Sequence, residues 1–209
     1  MTVSGLKRLA AAATLCMPAA ALAHHFMGNV LPQTFAEGLL SGFGHPLIGA
    51  DHAAFIIGAG LLLARMPRGL GLYALAALIA GSLAGAALHL GGWALPLAEA
   101  GIALSVIVTG VLVFRHRHTP MPALIALLSL AGLLQGHAYA ETIFGAEQTP
   151  LLAYLLGFSM VQFAVAGSAC LLYRAALSRR AAWLPVLTRA LGLVIGAGGA
   201  VFLSLALGA

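Results

Sequence analysis

The chain has 209 residues, is 62% hydrophobic and 7% charged, and carries a formal net charge of +5 with a mean hydropathy of +1.04. That composition lies outside the range of soluble domains and marks an integral membrane protein. It gives no support to nucleic-acid binding, because the basic residues serve as loop markers between long apolar runs.

Residues 1–23 read as a secretory signal: Lys7 and Arg8 form a basic start, Leu9 to Leu15 an apolar run, and Ala21-Leu22-Ala23 a small-residue cleavage site. The apolar run is shorter than the ~20 residues that a span needs. Cleavage would leave residues 24–209 and place His24 and His25 beside a new amino terminus, a pair suited to loose metal capture. It would also remove Lys7, the only lysine. A Walker A loop and a retinal or pyridoxal Schiff base both require lysine, so ATP binding by this chain is not expected. Cys16 would leave with the signal, and Cys170 alone cannot form an intrachain disulfide.

Six apolar runs follow, at about 40–64, 70–90, 93–114, 121–140, 150–173 and 183–207. Each is expected to be helical, because lipid cannot satisfy bare backbone groups, so the fold class is all-α: a polytopic membrane protein with six transmembrane helices in a single bundle. With the signal cleaved, the mature N-terminus lies outside and the loops alternate from there. Arg65 and Arg68 follow the first run, Arg115 and Arg117 the third, and Arg174, Arg179 and Arg180 the fifth, while the stretches Leu90 to Trp93 and Glu141 to Thr149 hold no Arg or Lys. This bias predicts a multi-pass membrane protein with both mature termini on the outer, periplasmic side. Arg189, early in the sixth run, is placed to snorkel. Gly81 and Gly85, Gly157, and Gly192 and Gly196 offer small faces on which helices approach closely.

Ionisable groups inside such runs are costly and tend to mark function. His45, Asp51 and His52 form one group, and imidazole with carboxylate is a ligand set for a divalent first-row metal. On a straight helix His45 and His52 would stand about 10.5 Å apart along the axis. Gly42, Gly44, Pro46 and Gly49 surround His45, and the residue before a proline avoids the helical region, so a bent or broken entry to the first span is expected to fold His45 toward Asp51 and His52. Glu99 lies early in the third run, and His137 and Glu141 share a helical face at the end of the fourth. All six residues fall in the outer half and are expected to meet at one depth, open to the periplasm. His89 reads as a snorkelling residue, and His116 and His118 as solvated loop residues.

The run His45-Pro46-Leu47-Ile48-Gly49-Ala50-Asp51-His52 at the start of the first span resembles the HupE/UreJ family, which carries His-x5-Asp-His there. Glu99 to Ser105 also looks like the family's pattern, and the likeness covers the whole mature chain. The resemblance implies an inner-membrane nickel or cobalt permease associated with metal supply to hydrogenase, urease or cobamide synthesis. One departure stands out: the family's fourth span often reads Phe-His-Gly-x-Ala-His-Gly-x-Glu, whereas Gln135 and Tyr139 occupy the two histidine places here and the acid, Glu141, arrives one residue early.

The resulting expectation is a secondary or facilitated permease, not an enzyme, with no permanently bound cofactor. Its substrate would be Ni2+ or Co2+, with Zn2+ a third candidate, and its surroundings the lipid bilayer. An oligomer is compatible with the sequence. Two alternatives are an intramembrane metal-dependent enzyme, although His-Glu-x-x-His and Gly-x-Ser-x-Gly are absent, and a redox subunit holding haem between His89 and His137.

Overall fold

The computed structural model describes residues 30–115, 117 and 119–208, and the described residues are helical without strands. The expected signal segment, His24, His25, His116 and His118 lie outside them. Seven helices follow in order: α1 (Phe35–Ile48), α2 (Ala50–Leu63), α3 (Arg68–Leu90), α4 (Ala98–Arg115), α5 (Met121–Glu141), α6 (Gln148–Ser178) and α7 (Leu184–Gly208). The last five are long and apolar enough to cross a membrane, and α1 with α2 form a bent pair that passes the same test only together. Each half has 14 residues, about 21 Å, against a hydrocarbon core of about 30 Å.

The bend is sharp, 80°, and it falls at Gly49. His45 and Pro46 remain inside α1, so the proline does not itself end the helix. The expected break is therefore present but displaced by one turn. Gly49 adopts φ −68° and ψ 107°, closes α1 by donating to the His45 carbonyl, and opens α2 by accepting from Ala53. The other end of α1 is secured by a capping box, in which Thr34 accepts from the Glu37 amide and Glu37 accepts from the Thr34 amide. The fourth helix starts at Ala98 rather than near residue 93, because Gly92 (φ 82°) and Leu97 (φ 60°) hold the intervening segment in left-handed turns.

Helices pair out of chain order. The main partnerships are α1 with α6, α3 with α5, and α4 with α7. Each is a glycine seam: Gly42 faces the Tyr154 backbone, Gly85 the Leu133 carbonyl, Gly136 the Ser82 carbonyl, and Gly110 the backbone of Gly192 and Gly196. A side chain at any of these positions would collide with a neighbouring backbone, which is how small residues let membrane helices approach. The helix α2 runs through the middle, buried from Phe55 to Leu63 save Ile57, against α4 and α6. Large apolar residues such as Leu72, Leu130, Leu172 and Val194 face outward, as expected for a surface solvated by lipid.

At the end of the bundle remote from Gly49, two arginines close helix termini. Arg174 donates to the carbonyls of Leu63, Ala64 and Met66 at the end of α2, and Arg65 donates to those of Leu112 and Val113 near the end of α4. Carbonyls in the last turn of a helix lack the usual i+4 amide, although Leu63 also accepts from the Met66 amide at 3.0 Å, and a guanidinium suits the negative end of a helix dipole. Replacing Arg174 by methionine is expected to cost about 2–3 kcal/mol through orphaned carbonyls. A drop in melting temperature of the detergent-solubilised protein checks it, and an unchanged melt would count against this clasp.

Candidate metal centre

Breaking the first span at Gly49 redirects the chain so that the last turn of α1 meets the first turn of α2. The His45 and His52 rings consequently lie 5.7 Å apart, centroid to centroid, instead of a full helical separation. Asp51 stands with them, and all three are buried. The carboxylate sits in the first turn of α2, where a helix favours negative charge, and its Oδ1 accepts the His52 backbone amide at 2.9 Å.

The opposing wall comes from the end of α5 and the start of α6. Tyr139 presents its ring edge-on to both imidazoles, at 5.0 Å from His45 and 4.7 Å from His52. Tyr154 and Thr142 hold His45 through its Nδ1, at 3.0 and 3.2 Å. The Tyr154 and Thr142 hydroxyls also lie 2.7 and 3.0 Å from the Tyr139 carbonyl and 3.0 Å from each other, so the three groups form one hydrogen-bonded knot. His45 is thereby anchored at one ring nitrogen by two hydroxyls of the opposing wall, which fixes the orientation of its imidazole. No part of this clamp on His45 is legible in the sequence.

Below Tyr139 the interior stays polar without becoming charged. The Tyr139 hydroxyl donates to Gln135 Oε1, and Gln162 exchanges contacts of 3.1 Å with Ser82, every one of these side chains being fully buried. Gln135 Nε2 has no hydrogen-bond partner. A column of amide and hydroxyl groups therefore continues inward from the imidazole pair.

The remaining sequence candidates are placed elsewhere. His137 and Glu141 leave the opposite side of the last turn of α5 and assemble with His89 of α3, one donor atom from each lying within 4.8 Å of the others. Glu99 is exposed in the first turn of α4. The six expected ligands are thus divided: one group around His45 and His52, a second around His137, and Glu99 outside the second. His89, read from the sequence as snorkelling, is drawn in because the α3–α5 glycine seam sets the ends of those two helices side by side. Its ring contacts that of His137 directly, centroids 4.5 Å apart, whereas a haem would need the two imidazoles on opposite faces of a macrocycle.

Residues 12–202 match the family model described as HupE / UreJ protein. The chain belongs to the HupE/UreJ family. Over 127 residues the chain is 28% identical to Protein HupE of Rhizobium leguminosarum bv. viciae, a match covering 61% of this chain and 63% of that protein. The chain thus spans somewhat less than two thirds of the length of this curated relative. No solved structure matches it. As a HupE/UreJ protein with several helices apolar enough to cross a bilayer, it is a multi-pass membrane protein.

Proposed function

We propose that this chain takes up a divalent transition-metal ion, nickel or cobalt, across the bacterial inner membrane, using His45, Asp51 and His52 as the seat for the ion. The observation that carries the reading is the 80° break at Gly49, which brings two imidazoles within 5.7 Å of each other beside a buried carboxylate. Burying these groups is costly unless they are used. Nitrogen and oxygen donors suit both ions.

In this reading residues 1–23 are removed, residues 24–209 form the six-span permease, and both mature termini face the periplasm. The clasp arginines Arg65 and Arg174 support that orientation, since they gather at the end of the bundle opposite the imidazoles, as cytoplasmic residues would. The ion sheds water at the seat, then moves along Tyr139, Gln135, Gln162 and Ser82. Inward passage of a dication is favoured by the membrane potential at about 2.3 kcal/mol per charge per 100 mV, so no nucleotide is required. Neutral oxygens beyond the imidazoles hold the ion more weakly, which lets it leave.

Metal-starved cells expressing the protein, given labelled nickel or cobalt, test the assignment. His52→Ala and Asp51→Asn are each expected to bring uptake to the level of cells lacking the protein, at unchanged membrane abundance. Undiminished uptake in both would overturn the seat.

A further inference from the structure

The cluster of His89, His137 and Glu141 is not an extension of the imidazole pair. Residues 137 and 141 project from one side of α5, and Tyr139 from nearly the opposite side, because two residues along a helix turn the direction by about 200°. Tyr139 meets His45 and His52, whereas His137 meets His89, so the two groups are separated by the body of the helix.

The second group has what a metal site requires. Two imidazoles and one carboxylate each bring a donor atom within 4.8 Å of the others. His137 is buried, His89 half-buried and Glu141 exposed, which gives the group one open side. The ring of His137 is held at Nε2, which lies 2.9 Å from the Trp93 carbonyl, an acceptor only, and 3.4 Å from His89 Nδ1, so in the metal-free protein that nitrogen carries the proton. Nδ1 is thereby left as a lone pair, buried and without a hydrogen-bond partner. A metal-binding histidine is characteristically held this way, one nitrogen donating to a backbone carbonyl and the other kept for the ion. An unsatisfied polar atom of this kind is otherwise costly to bury.

We infer that His89, His137 and Glu141 form a second site for a divalent first-row transition ion, loaded independently of the seat at His45 and His52. A two-nitrogen, one-oxygen set with an open side accepts Co2+, Ni2+ or Zn2+ and leaves room for water as a further ligand. The ion ties the end of α3 to the end of α5 and, through His137, to the segment carrying Trp93. The inference rests on the ligand cluster alone and survives if the proposed seat is wrong.

Titrating the purified full chain with Co2+ and reading visible absorption tests it, in a background with His24 and His25 changed to alanine. Cobalt bound by nitrogen in a low-coordinate site absorbs far more strongly than the aqueous ion. The His52→Ala protein, with the seat damaged, is expected to retain one strongly absorbing equivalent. Adding His89→Ala or Glu141→Gln is expected to abolish that equivalent, or weaken its binding at least tenfold, with unchanged elution on gel filtration. The inference is overturned if His52→Ala binds no cobalt, or if the equivalent it binds survives both second-site changes. Should His52→Ala match the unsubstituted protein in both stoichiometry and spectrum while His89→Ala removes an equivalent, the second site stands and the proposed seat falls.

Discussion

Gly136→Val is expected to leave little or no folded protein in the membrane. At Gly136 a Cβ would fall on the backbone of Ser82, carbonyl oxygen and Cα included, and at Gly85 it would fall on the Leu133 carbonyl. Neither obstacle is a side chain that can swing away, so α3 and α5 would have to separate along their shared seam. The expected loss is about 3 kcal/mol or more, a large part of the stability of a typical domain. Such separation would also disturb Ser82, hence its bond to Gln162. Yield and melting temperature of detergent-extracted protein measure it. Gly167→Val supplies the comparison, since a Cβ there meets nothing within 4 Å and the substitution is expected to be tolerated. Equal yields and melts for the two variants would refute the close α3–α5 crossing.

Gly49→Ala is expected to abolish uptake without unfolding the protein. The backbone at Gly49, φ −68° and ψ 107°, is open to any L-residue, so alanine brings no conformational strain. The conflict is local: the new methyl would press on the His52 imidazole at Cδ2 and stand 3.1 Å from Asp51 Oδ1. It would therefore move two of the three proposed ligands while deleting none. Metal uptake at about a tenth of the normal rate or less is expected, with normal abundance and a melting temperature within a few degrees. Uptake at the unsubstituted rate would show that the position of the His52 ring does not matter to transport.

Much of the architecture is written locally. Apolar runs bounded by Pro, Gly and Arg locate α3, α5 and α7 to within about two residues, because lipid leaves the backbone no alternative to helix. The crowding of Gly42, Gly44, Pro46 and Gly49 around His45 likewise signals a bend, although composition alone does not say which residue yields. Pro46 stays helical while its turn is packed through Gly42 onto α6, and the break is left to Gly49. Partner choice is what local pattern does not carry. Nothing in residues 68–90 says that α3 will lie along α5 rather than α4, so His89 could not be matched to His137, nor could Tyr154 be matched to His45 across more than a hundred residues. The four-residue spacing of His137 and Glu141 puts them on one face, but which neighbour that face meets depends on the α3–α5 crossing.

The out-of-order pairing sets a schedule for assembly. Gly42 is packed by Tyr154, and α2 is enclosed by α4 and α6, so the segments synthesised earliest wait longest for their neighbours. Asp51 and His52, the most polar part of the first helices, must sit in the bilayer or its interface until α6 has been inserted. Contacts of such long sequence separation form late and slowly. Maturation of this protein is therefore governed by the arrival of its penultimate helix, and a chain stalled before residue 148 would hold Asp51 and His52 exposed to lipid.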